Sequence, residues 1–185
     1  MATKLDMISN ALILIGDKPL NDLDETRYAA TVASNLYPGI ALAELSKHYW
    51  GFARRKQQLA QLVEVMPDNE YQRSYQLPAD MLVLLKTYPN AYDYKIYGKK
   101  IYTNAQIKSV DYIANVAESF WPPYFEKLME FALAKDFAIP IRDASTRKQE
   151  MQNEYVIQSR MARYMDSQQH PQNEPQNSPF IEVRF

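Results

Sequence analysis

Two imidazoles, His48 and His170, are the side chains best suited to general-base work near neutral pH, so any catalytic reading has to begin with them. His48 stands next to the aromatics Tyr49 and Trp50, and His170 stands next to Pro171 in a polar stretch. The pair lacks the spacing that puts two ligands on one helix face, and no carboxylate companions accompany it. Packing and surface roles account for both. The 185 residues contain no cysteine, which removes a thiolate nucleophile, a thiolate metal site and a disulfide scaffold together. Four glycines in the whole chain cannot build a phosphate-cradling loop or a dinucleotide fingerprint, and no serine-centred elbow is present. The expectation is a protein with no catalytic residue, no cofactor and no bound metal.

Charged and aromatic clusters suggest contacts instead. Asp22, Asp24 and Glu25 precede a helical pattern, where capping and the helix dipole explain an acidic group. Arg54, Arg55 and Lys56 form a short basic run, and Lys95, Lys99, Lys100 and Lys108 surround a strand-like pair. Solvated strand faces explain these, and contact with phosphates or an acidic partner is the sharper alternative. With 21 Lys plus Arg against 22 Asp plus Glu, the chain lacks the basic excess of a dedicated DNA-binding domain, although DNA could still pass by it as cargo.

Two segments stand out as contact sites. Tyr94, Ile96, Tyr97, Lys99, Ile101 and Tyr102 lie on a hairpin pattern. They read as a subunit or tail interface, or alternatively as a stacking platform for single-stranded nucleic acid. At the far end, Phe180, Ile181, Glu182, Val183, Arg184 and Phe185 form a strand-like hexapeptide behind a Gln/Asn/Pro-rich tether. Strand addition to a neighbouring subunit or partner is the expected use, with folding back onto the chain's own domain as the alternative.

The elements that must hold these groups follow from hydrophobic period. Thr3 and Asp6 form a capping box ahead of Leu5, Ile8, Leu12 and Ile15, with Gly16 as the stop, so a helix is expected over 4–15. A second helix is expected over 24–49, capped by Asp24, with Val32, Ala33, Leu36, Ile40 and Leu45 inward and a kink at Pro38. Alternation over 71–77, an apolar run over 81–88 that is either strand or helical turn, the pair around Gly98 and a strand over 110–116 make a β insertion spanning about 53–116. Gly98 suits a type II′ turn. Helices are then expected over 122–138, opened by Pro122–Pro123 and stopped by Pro140, and over 143–167, capped by Asp143. In the last, Met151, Tyr155, Gln158, Ala162 and Met165 trace one face. The whole is an α+β fold, mainly a bundle of about four helices with a central antiparallel β insertion. It forms one domain over 1–167, with an extended tail over 168–185. No apolar run ends in a cleavage site and no segment reaches the length of a membrane span, so assembly in the cytoplasm without a membrane anchor is expected.

The order of motifs resembles the head-to-tail adaptor, or tail tubular protein A, family of short-tailed phages. It runs from Ala11-Leu12-Ile13-Leu14-Ile15-Gly16 with Pro19-Leu20, through Tyr49-Trp50-Gly51-Phe52-Ala53, to Tyr75-Gln76-Leu77-Pro78-Ala79-Asp80-Met81. It continues through Ile101-Tyr102-Thr103-Asn104 and Trp121 to Ala162-Arg163 and Asp166-Ser167-Gln168-Gln169. These motifs are short and degenerate, and their order over nearly the whole chain carries the likeness. The resemblance implies a non-enzymatic virion protein that forms a ring of twelve copies beneath the portal protein. Such a ring extends the DNA channel and carries a tail nozzle or tube protein. On that reading the C-terminal tail faces the portal and the β insertion faces the tail or a neighbouring subunit.

Overall fold

The computed structural model describes residues 3–63, 70–91 and 93–169. Four helices and two small antiparallel sheets make an α+β fold, as the hydrophobic periods require. Helix α1 (Lys4–Leu14) opens with the expected capping box: the Asp6 N–H donates to Thr3 Oγ1 at 3.2 Å and the Thr3 N–H donates to Asp6 Oδ2 at 2.8 Å. It closes on Gly16 at φ 81°, a left-handed position that glycine adopts without a Cβ penalty.

Helix α2 (Tyr28–Ser46) begins four residues later than expected. Asp24 does not cap it. The Asp24 N–H donates to Asp22 Oδ1, Glu25 Oε1 accepts the N–H groups of Asn21 and Asp22, and the Arg27 guanidinium donates to the Pro19 and Lys18 carbonyls. The acidic residues therefore close a loop on itself instead of starting a helix, because short carboxylates satisfy nearby N–H groups as readily as a helix end does. The inward face of α2 also differs from the expectation. Tyr37 is buried and Leu36 is exposed.

The β insertion holds six strands: β1 (Arg54–Gln58), β2 (Arg73–Gln76), β3 (Met81–Tyr88), β4 (Tyr94–Tyr97), β5 (Lys100–Thr103) and β6 (Ser109–Ala114). One sheet runs β1-β6-β3 and the other β2-β5-β4, all antiparallel. The apolar run over 81–88 is a strand, with register shifts between Met81 and Val83 and between Leu84 and Lys86. Every residue of the central β6 is buried. Gly98 opens the two-residue turn between β4 and β5 at φ 60°, while Lys99 stays outside the left-handed region, the signature of a type II′ turn.

Helix α3 (Pro123–Arg142) is the hub, with α1, α2 and α4 (Ser145–Gln168) all packed on it. Its buried residues, from Phe125 to Ala138, circle the helix instead of lining one stripe, as a central helix requires. Pro140 does not end it; Ile141 and Arg142 continue the last turn. Asp143 ends it in the left-handed region at φ 47°, and the Ala144 N–H reaches back to the Ala138 carbonyl. Asp143 is thus the joint after α3 and not the cap of α4, a place open to aspartate because its short polar chain tolerates left-handed backbone. Helix and strand side chains share one apolar cluster.

Candidate functional site

Residues from three separate segments meet at the end of α4. Asp166, 1% exposed, accepts the Gly51 N–H at 3.1 Å on both carboxylate oxygens and the Tyr124 O–H at 2.8 Å. His48 Nε2 stands 3.9 Å from Asp166 Oδ2, and its ring meets Trp50 edge-on at 4.8 Å. Trp50 donates through Nε1 to the Glu44 carbonyl and packs on Phe125, which also touches Phe52 and Trp121. Burial and then the Asp166 carboxylate push the Tyr124 phenol up, so it remains a donor. Trp50, Gly51, Phe52, Trp121 and Asp166 all belong to the motifs quoted above for the resemblance. A second knot lies nearby: the buried Glu44 carboxylate accepts from Lys47 Nζ at 2.6 Å and from the Tyr155 hydroxyl. Sequence reading missed Asp166 and Glu44 as structural groups. The only available signal was a carboxylate at an inward helical position. His48 thus sits against a knot whose carboxylate is engaged by a backbone amide and a phenol, and this arrangement fastens the end of α4 to the start of α3. Among the described residues no group of three or more His, Asp or Glu is placed to hold a metal.

The hairpin residues divide between two faces. Register pairs Lys95 with Tyr102 and Tyr97 with Lys100 on one face, and Tyr94 with Thr103 and Ile96 with Ile101 on the other. Tyr97 and Tyr102 meet at 5.7 Å as a cross-strand aromatic pair, and Tyr102 and Ile101 are buried. Tyr94 lies on the opposite face, so the three tyrosines do not form one platform. Lys95 is held by Glu70 at 2.6 Å, and Lys99 Nζ lies 3.4 Å from the Ala79 carbonyl. Tyr94, Ile96 and Tyr97 on the edge strand β4 are exposed.

The basic run is committed internally. Arg55 pairs with Asp80 at 3.0 Å, Lys56 lies over the Tyr88 ring at 3.7 Å, and Arg54 donates to Asp111 Oδ2 at 2.8 Å. Tyr88 donates to the same oxygen. Burial would raise the Asp111 carboxyl, but the Arg54 guanidinium and the Tyr88 hydroxyl outweigh it and hold the group below the usual carboxylate range. A depressed carboxyl stabilises the fold above its unfolded value of about 3.9, and that contribution is lost as pH falls through the lower folded value. Asp111→Asn is therefore expected to unfold more easily than the parent at pH 7, with the gap closing towards pH 3. Equal gaps at both values in a urea titration would show that the carboxylate charge is not responsible.

Two helix surfaces are left uncovered among the described residues. On α4, Ile157, Met161, Tyr164 and Met165 are each about half exposed, at spacings that keep them on one side. Met165 thus points away from the core, whereas Met151, Ala162 and Asp166 face it, because a 3.6-residue period drifts off the heptad-like spacing. On α2, Tyr28, Thr31, Asn35, Gly39, Leu42 and Ser46 form the outer face. The hexapeptide Phe180 to Phe185, and His170, lie outside the described residues. No helix among the described residues is long and apolar enough to cross a membrane. The class that fold and surface define is an α+β chain with two helix faces uncovered among the described residues, one poor in charge on α2 and one with an apolar stripe on α4. The chain matches no protein-family model, and no curated protein matches it.

Proposed function

We propose that this chain is a structural, ring-forming head-to-tail adaptor of a short-tailed phage, docking on the portal, extending the DNA channel and carrying the next tail component. The observation that carries the reading is the convergence of the resembling motifs. Trp50-Gly51, Trp121 and Asp166 lie far apart in sequence yet fasten one joint, which supports reading the motifs together as parts of one fold signature. The uncovered faces of α2 and α4 add support, since a subunit that works inside a ring must present surface to its neighbours. DNA is passing cargo on this reading, and the internally paired Arg54, Arg55 and Lys95 agree with that.

Sedimentation and electron microscopy of the chain alone at high concentration, and mixed with portal, test the proposal. Ring particles are expected in at least the mixture. A chain that stays monomeric in both overturns it. Deleting residues 180–185 is expected to leave the unfolding midpoint unchanged and to abolish joining to the portal; a large drop in midpoint would place the tail in the subunit's own core.

A second reading, a single-stranded nucleic-acid-binding module, draws on Lys95, Tyr97, Lys100 and Tyr102 sharing one hairpin face. It requires salt-dependent binding that weakens in Tyr97→Ala, and no binding at low salt disposes of it.

A further inference from the structure

We propose that the partner of each uncovered helix face is a second copy of this chain, with the α4 stripe of one copy seated on the outer face of α2 of the next. The inference rests on the ring-forming reading and names the surfaces that close the ring.

Helix α2 runs 19 residues, and its one charged residue, Glu44, is buried. An ordinary surface helix carries charge opposite its buried face, whereas charge depletion marks the centre of an interface. Gly39 sits in the middle of that outer face. A glycine inside a helix costs about 1 kcal/mol relative to alanine. Nothing among the described residues demands it, because an added Cβ would meet no atom within 4 Å and its φ is not left-handed. A residue that is costly and unexplained from within leaves room for a side chain arriving from outside.

The α4 stripe supplies such side chains. Ile157, Met161, Tyr164 and Met165 expose on the order of 500 Å² between them, a large share of the ~800 Å² per partner in a standard interface. Tyrosine and methionine are favoured in such contacts. Opposite charges are available at the two rims, where Arg27 is held by Asp17 and Glu25, and Glu150 by Arg147. Exposed Arg160 and Arg163 flank the stripe, and exposed Asp22 and Asp24 lie just ahead of α2. Like-with-like pairing is poorer: two α4 stripes would bring two sets of Arg160 and Arg163 to one interface, and two α2 faces would offer room with little to fill it. Unlike faces on one molecule make a heterologous contact, which closes into a ring when the rotation allows.

The chain has no native cysteine, so introduced ones report cleanly. Full-length Asn35→Cys and Met161→Cys variants, mixed under assembly conditions with a short bis-maleimide, are expected to give a cross-linked dimer that neither gives alone. The double variant is expected to give a ladder. Dimers from either single variant alone, or no cross-link where rings form, overturn the pairing and leave the ring reading standing. No rings from the parent chain, alone or with portal, takes down both. Gly39→Leu supplies a second arm: it should keep or raise the monomer's unfolding midpoint, leucine being the better helix former, yet weaken assembly at least tenfold. Unchanged assembly of that variant also overturns the pairing.

Discussion

Phe125→Ala is expected to destabilise the chain by about 3–5 kcal/mol, a large part of the 5–15 kcal/mol that holds a typical domain folded. Phe125 is fully buried on the hub helix α3. Its ring meets Trp50 at 5.1 Å, Phe52 at 4.9 Å and Trp121 at 4.9 Å in edge-on or tilted contacts. Truncation removes the transfer free energy of the ring, its aromatic contacts, and the support of three neighbours that cannot all collapse into the space. Phe125→Leu, which retains most of the volume, should cost less than half as much. The chain's two tryptophans are the two that touch Phe125, so their emission reports directly on this cluster. A red shift in the folded baseline and a lower urea midpoint are expected together for Phe125→Ala. A loss below about 1 kcal/mol would mean that the cluster is not the keystone of the helical half.

Asp166→Ala should cost about 3 kcal/mol by a different route. The side chain is small and its removal leaves little cavity. What is lost is the acceptor for the Gly51 N–H and the Tyr124 hydroxyl, both close to the interior. Both donors are partly buried, and leaving them without their acceptor costs more than the net worth of the bonds to the extent that water cannot reach them. For a chain of this size the melting point should fall by roughly 6–12 °C. Hydrogen exchange at the Gly51 amide should accelerate beyond the global change, because its own acceptor has gone. Asp166→Asn retains one carbonyl oxygen and is expected to fall between the parent and the alanine variant. A melting point for Asp166→Ala within a degree or two of the parent would show that the joint between α4 and the start of α3 is held by apolar contact alone.

Much of the fold was legible because its signals act over three or four residues. The Thr3–Asp6 capping box, the Gly16 stop, the Gly98 turn and the opening of α3 at Pro123 depend on chemistry that neighbours in sequence complete among themselves. The errors arise where such signals compete. Asp24 and Asp143 both resemble helix caps, yet one closes a loop and the other takes a left-handed joint. A cap is worth about 1 kcal/mol, and the packing that sets where α2 and α4 begin outweighs it. The candidate site was less legible. The hairpin tyrosines were visible as residues, but their division between two faces follows from a register that only pairing fixes.

From its own residues the chain determines an α+β class, the existence and order of four helices around a β insertion, and a composition without thiol or glycine-loop chemistry. Only the tertiary structure decides that α3 is the hub, that Tyr37 and not Leu36 faces inward, and that Arg54 and Arg55 are engaged by Asp111 and Asp80. It also decides that Asp166 joins Gly51 and Tyr124 across more than forty residues in each case. The division has one physical cause. Backbone conformation answers to local hydrogen bonding and sterics, whereas burial and pairing answer to whatever distant segment arrives alongside.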